Sequence, residues 1–257
     1  MFSTAIVTRL RLAAALVPAI AGVASAQIHR TGETTVSCAV SGVCDANWAV
    51  QWFGLPGGVA SGVSGALSNA ALISSIPSAP WAANVPGVQQ WIGITGNGIT
   101  TTPRTGDNAA NYRYFFTTTV ANGASGFNLG MGWDNRLLGV FTGALTINSD
   151  GSYSGGTSVF DVSPYAGKSG FCRDGDGVFP SSAFPSGCLL DATFNNVPSN
   201  STLTVVIEGD GQTDGLLFGD ARALGQSTAT PEPASMVLFG SGLVGVVGFV
   251  RRRRRSA

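Results

Sequence analysis

Apolar and polar positions alternate along the middle of the chain with the two-residue period of β-strands. Over Asn111–Val120 the alternation places Tyr112, Tyr114, Phe116, Thr118 and Val120 on one face. Ser201–Glu208 does the same with Leu203, Val205 and Ile207. Further strands are predicted over Thr34–Val40, Asn47–Phe53, Val88–Thr95, Gly126–Trp133, Leu137–Asn148, Thr157–Ser163, Cys188–Phe194 and Gly215–Leu224. Turn-forming residues separate them at Asn122-Gly123, Ser149-Asp150-Gly151-Ser152 and Gly209-Asp210-Gly211. Gly54–Pro80 is low in charge and rich in Gly, Ser and Ala, and reads as a long loop with a short helix around Ala66–Ile73. No long 3.6-residue stripe and no internal repeat occur. Many strands with tight turns and no alternating helices predict a mainly β domain, an antiparallel β-sandwich.

Two unbroken apolar runs, one at each end, depart from this pattern. Arg9 and Arg11 precede Leu12–Val23, and Ala24-Ser25-Ala26 follows with the small-x-small pattern of signal peptidase cleavage. That run is too short to span a bilayer and Pro18 weakens it as a helix, so residues 1–26 read as a signal peptide and the mature chain begins at Gln27. At the other end, Ala234–Val250 contains no charge and no proline. As a helix it extends about 25 Å, a little short of the ~30 Å hydrocarbon core. Arginine stems at its end close the gap by lifting their guanidinium groups to the headgroups. Arg251, Arg252, Arg253, Arg254 and Arg255 follow at once. Carrying five arginines through the membrane centre costs roughly 12–17 kcal/mol, so they stop transfer and stay cytoplasmic, with the chain before Pro231 outside. The expected organisation is a signal peptide (1–26), an exported β domain (27–229) and a tail (230–257) with a single transmembrane helix (234–250).

Charge changes meaning under this division. The whole chain balances 14 basic against 14 acidic residues. Between Gln27 and Ala229 there are 7 basic and 13 acidic ones, a net of −6. An acidic domain with no basic cluster excludes nucleic acid as a partner. All four cysteines, Cys38, Cys44, Cys172 and Cys188, fall in the exported part, where disulfides are the default. Four thiols allow three pairings, and proximity favours Cys38–Cys44 with Cys172–Cys188. The larger loop gains about 3 kcal/mol in the loop-entropy picture. A metal site is disfavoured, because neither pair has Cys-x-x-Cys spacing and the one histidine, His29, lies at the new terminus.

Candidate chemistry in the domain is sparse. Trp48, Trp52, Trp81, Trp91 and Trp133 suit either a core or the apolar face of a sugar ring. Trp52 and Trp91 read as core anchors. Trp133 followed by Asp134, Asn135 and Arg136 is the strongest binding candidate, an indole beside groups that bond sugar hydroxyls. Asp174-Gly175-Asp176-Gly177 and Glu208-Gly209-Asp210-Gly211 place oxygen ligands on turns, yet neither completes an EF-hand loop. Solvated turns are expected there, with a structural calcium ion on Asp174 and Asp176 as the alternative and no other cofactor. Catalysis is not expected. Only Glu33 and Glu208 are glutamates in the exported part, and no histidine is placed for a Ser-His-Asp triad.

Pro231-Glu232-Pro233, a short apolar helix and an arginine cluster, in that order at the C-terminus, resemble the PEP-CTERM sorting signal of Gram-negative bacteria that make exopolysaccharide. The resemblance implies a membrane protease, exosortase, as the partner that reads the tripeptide and removes the helix. It also implies a transient inner-membrane anchor followed by release to the cell surface or outside. Thr230 stands where the family often has valine. The two prolines fix φ and disfavour helix before them, which holds Glu232 extended for an enzyme to read. Trp81, Trp91-Ile92, Tyr112–Phe116, Trp133-Asp134-Asn135, Asn200–Glu208 and Gly215-Leu216-Leu217-Phe218 resemble the jelly-roll, galactose-binding-like domains of such proteins. That implies a sandwich closed by the Gly-Leu strand. The functional expectation is an exported surface or matrix protein associated with exopolysaccharide and binding carbohydrate. The alternatives are a structural or adhesive component without a defined ligand and, less favoured, a secreted glycoside hydrolase.

Overall fold

The computed structural model describes residues 27–38, 42–58, 60–74, 84–98, 111–122, 124–134, 136–165, 190–211 and 214–219. The expected signal peptide, the tail 230–257, Trp81, Asn135, Cys172, Asp174, Asp176 and Cys188 lie outside them. Among the described residues no helix is long and apolar enough to cross a membrane, and the run Ala234–Val250 is not among them.

Among the described residues twelve strands form one antiparallel sheet. They are β1 (Gln27–Ile28), β2 (Thr35–Cys38), β3 (Gly42–Gly54), β4 (Ser64–Leu72), β5 (Ile92–Gly93), β6 (Tyr112–Asn122), β7 (Ala124–Asp134), β8 (Arg136–Ile147), β9 (Tyr153–Ser158), β10 (Leu190–Val197), β11 (Ser201–Gly209) and β12 (Gly215–Gly219). The hydrogen-bonded order is β10-β7-β12-β5-β4-β3-β6-β11-β8-β9, with β1 on β6 and β2 on β3. From β6 onward the chain alternates between the β3-β6-β11-β8 part of the sheet and the β10-β7-β12 part, apart from the β8–β9 hairpin. The mainly β, antiparallel expectation holds. Two separate sheets do not appear among the described residues: one path runs through ten of the strands, with β1 and β2 attached beside it and the short β5 as the joint.

The sheet curls until its apolar face meets itself. Tyr112, Tyr114, Phe116 and Val120 from β6 and Leu203, Val205 and Ile207 from β11 point inward as their alternation predicts, beside Trp48 and Val50 from β3. Met131 and Trp133 from β7, Phe194 from β10, and Leu216 and Phe218 from β12 join the same core from the other part. Trp48 meets Phe218 with ring centroids 5.4 Å apart, and Phe218 meets Phe194 at 5.4 Å. Each such side chain contributes about 1.5–3 kcal/mol by leaving water.

Two short backbone bridges complete the curl. The Val159 N–H donates to the Val140 carbonyl of β8 at 3.0 Å, and the Val159 carbonyl accepts from Asn195 of β10 at 2.9 Å. One residue thereby links the two ends of the strand order. On the opposite side β5 is too short to cover β12 beyond Leu216. Thr31 fills the place: its N–H donates to the Phe218 carbonyl at 2.8 Å, its hydroxyl accepts from the Phe218 N–H at 3.0 Å, and its carbonyl accepts from Gln90 at 2.7 Å. The outer face carries a smaller apolar cluster of Phe53, Phe115 and Val206, with Phe141 and Tyr153 packed on it as the β8–β9 hairpin folds over. Asn148, Gly151 and Ser152 close that hairpin where turn chemistry predicts it, with Gly151 at φ 77°.

Several expected elements differ. The segment expected as a helix around Ala66–Ile73 instead forms most of β4, paired to β3 from Ser64↔Phe53 to Ala71↔Cys44, so Gly54–Pro80 is not a single loop. An alanine- and leucine-rich segment suits a helix by propensity, and cross-strand pairing overrides it. The strand expected at Thr157–Ser163 occupies Tyr153–Ser158 and is followed by a 3-10 turn at Ser163–Tyr165. That expected at Val88–Thr95 shrinks to Ile92–Gly93, because Gln90 and Trp91 bond to Thr31 and Asn84.

Thr31→Val keeps the side-chain shape but leaves the buried Phe218 N–H without its acceptor. A loss of about 1–3 kcal/mol is expected, read as a lowered urea midpoint, with Thr31→Ser close to the parent. Equal midpoints for Thr31→Val and the parent would mean that the bridge does not support the sheet.

Candidate functional site

Strand pairing brings together two segments that are far apart in sequence, Trp133–Arg136 and Glu208–Gly211. Arg136 at the start of β8 lies opposite Glu208 at the end of β11, and Asp134 at the end of β7 lies opposite Gly215 at the start of β12. Alternation then distributes their side chains to different faces. Trp133 is 2 % exposed in the core, with Tyr165 edge-on at 5.6 Å, so its indole offers no open face to a sugar. Arg136 turns to the outer face. There Arg113 donates through Nη2 to Glu208 Oε1, and Arg136 Nη1 donates to Oε2 at 3.4 Å. Arg113 also donates to the Gly151 carbonyl at 2.7 Å and lies over the Tyr153 ring at 5.5 Å. Glu208 is thus held by two arginines across three strands, and this row ties the β8–β9 hairpin to the sheet.

Inside, the turn between β11 and β12 is built on Asp214, which is 2 % exposed. Its Oδ2 accepts from the Tyr114 hydroxyl at 2.7 Å and from the Gly211 N–H at 2.8 Å. A Cβ at Gly209 would stand 2.1 Å from its Oδ1, so the carboxyl fits there only because residue 209 is glycine. Burial lifts the Asp214 carboxyl well above its ordinary value, and the charges of Asp134 and Asp210 add to the rise against the hydrogen bonds from Tyr114 and Gly211. A second buried carboxyl, Asp45, caps the irregularity where β3 leaves β2 for β6. It accepts from the N–H groups of Gly32, of Asn47 at 2.7 Å and of Trp48 at 3.0 Å. Burial raises it too, with those three bonds opposing.

These carboxyls are engaged in holding turns and bulges, and Asp210, at 5 % exposure, is also buried. Among the described residues no group of three or more His, Cys, Asp or Glu side chains is arranged to hold a metal ion. Asp174 and Asp176, the calcium alternative, are not among them. Cys38 and Cys44 form a disulfide, with Cα atoms 5.8 Å apart, that clips the β2–β3 hairpin. Trp91 is fully buried, and Trp52 is half-buried over Gly65, where a Cβ would meet its Nε1 at 1.9 Å. An open depression of 440 Å³ lies beyond β9, lined by Ser158, Phe160, Asp161, Ser163 and Asn195 among others. Sequence reasoning flagged the Gly209–Gly211 turn but missed Asp214 and Asp45: each takes nearby N–H groups, Gly211 for Asp214 and Asn47 and Trp48 for Asp45, but the partners that bury them, Tyr114 and Gly32, come from other segments.

Residues 229–255 match the family described as the PEP-CTERM protein-sorting motif. No curated protein and no solved structure matches the chain. The match covers the tripeptide, the apolar run and the arginines, and it supports an exported protein that is a substrate of exosortase.

The raised Asp214 carboxyl gives a directional pH effect. The folded protein holds this proton more tightly than the unfolded chain, so its contribution is full below the ordinary carboxylate range and is lost as pH rises through the raised value. Asp214→Asn keeps an acceptor for Tyr114 and Gly211. As pH rises above the ordinary carboxylate range, the parent's thermal midpoint should fall relative to that variant's. Parallel curves would show that Asp214 does not hold its proton.

Proposed function

We propose that the chain is a cell-surface or matrix protein, delivered by its C-terminal signal and associated with exopolysaccharide through its acidic β domain. The observation that carries the proposal is the sorting motif at residues 229–255. A disulfide at Cys38–Cys44 and a fully antiparallel β domain are in keeping with life outside the cytoplasm. Around the open depression, Asp161, Ser158 and Ser163 supply the carboxylate and hydroxyl groups that sugar hydroxyls bond. A structural role with no defined small ligand is the second reading, favoured by the burial of Trp133. No catalytic role is proposed, since Asp214 and Glu208 are committed to Tyr114 and to the two arginines.

In this reading the apolar run 234–250 and Arg251–Arg255 govern insertion, whereas Pro231-Glu232-Pro233 governs processing. Glu232→Ala leaves the run untouched. In a host that carries the sorting protease, the variant is expected to be exported and inserted yet to accumulate as the longer, membrane-retained form. Immunoblots of membrane and released fractions measure this. Trimming and release at the parent's rate would reduce the tail to a simple anchor.

A further inference from the structure

We infer that the β2–β3 hairpin is the part of the domain that rests on lipid: while the tail holds the chain in the membrane, Val36 and Val43 enter the headgroup layer of a phospholipid surface. This goes beyond sorting, but it rests on the tail serving as a membrane anchor.

Strand directions decide which end of the domain faces the bilayer. β12 starts at Gly215, opposite Asp134, and runs to Gly219, opposite Gly130, so the chain leaves toward the end where β7 begins and β6 finishes. Gln27, the first residue after the expected signal peptide, is paired to Asn122 at that same end. Both connections to apolar segments therefore leave from one end of the sheet. Fourteen residues, 220–233, separate Gly219 from the apolar run that starts at Ala234. A chain of that length spans roughly 20 Å relaxed and at most about 50 Å extended, which favours this end at the bilayer.

The hairpin occupies the same end. β3 finishes at Gly54, opposite Tyr112, so its start at Gly42 lies toward Asn122. β2 is paired there, from Thr35↔Asp45 to Cys38↔Gly42, and is joined to the sheet only through β3. The register sets Val36 opposite Cys44 and Val43 opposite Ser37, so the two valines stand on opposite faces of the hairpin, 41 % and 49 % exposed. Apolar side chains open on both faces gain from entering an interface. No charged residue occurs from Thr34 to Cys44; Glu33 and the buried Asp45 stand at the root. The Cys38–Cys44 disulfide holds the two strands together, so little order remains to be lost on contact.

Charge at the other end selects against lipid. Asp134, Glu208, Asp210 and Asp214 lie where β7 and β11 finish and β12 begins, and Asp150 sits beside Gly151, whose carbonyl bonds to Arg113 there. These five carboxyls outnumber Arg113 and Arg136, and phosphate headgroups repel such an end. Val63 belongs to it, since Ser64 is paired to Phe53 near the finish of β3. At 50 % exposure Val63 matches Val43 and serves as its control.

The full chain carrying Val36→Trp, Val43→Trp or Val63→Trp, reconstituted into phosphatidylcholine–phosphatidylglycerol vesicles with or without bromine on the acyl chains, tests the inference. The emission added by each new tryptophan is read against the parent in the same vesicles, and flotation reports whether the chain is anchored. Bromine should remove most of the added emission at Val36→Trp, at Val43→Trp or at both, and leave that of Val63→Trp. If the chain floats with the vesicles but neither hairpin position is quenched more than Val63→Trp, the inference is overturned while the anchor stands. A chain that fails to float removes the anchor, and the inference falls with it.

Discussion

A single sheet that no helix among the described residues covers can bury an apolar face only by curling until that face meets itself. Here the curl places Trp48 of β3 against Phe218 of β12, and the core collects side chains from nearly every long strand. Curvature of that kind opens gaps where strands are too short to follow. The two gaps are filled by Val159 and by Thr31, neither of them inside a named strand. Thr31 is a sound choice for its place: its hydroxyl and backbone together satisfy both polar groups of Phe218, as a neighbouring strand would.

The same curvature explains where carboxyl groups are buried. At the end of the sheet where β7 turns to β8 and β11 to β12, strands from both parts converge and backbone groups lose their ladder partners. Asp214 serves the turn by taking the Gly211 N–H, and Tyr114 anchors it to β6 across the core. On the other face Glu208 and its two arginines link three adjacent strands and reach the β8–β9 turn through the Gly151 carbonyl. A lone carboxylate in either place would be costly to bury, and each is matched by donors instead. This use of the polar groups directs Trp133 to the core and Arg136 to the outer face.

Periodicity made the central strands legible. The inward faces of β6 and β11 can be read residue by residue, because both lie in the middle of the sheet with one face on the core. β4 was misread since its small residues carry no β signal of their own and it is a strand only through β3. The joining of β7–β8 to β11–β12 was invisible as well, because it is a product of strand order across more than seventy residues. Chemistry at the tail was legible for the opposite reason. Its signal is linear, with tripeptide, apolar run and arginines in sequence order, and needs no tertiary contact to be recognised.

That contrast separates two kinds of information in one chain. The tail's signal lies in the order of its residues, so it is recognisable whatever domain precedes it. The domain is read only once folded, when strand order brings Tyr114 to Asp214 and Arg113 and Arg136 to Glu208 across long stretches of sequence.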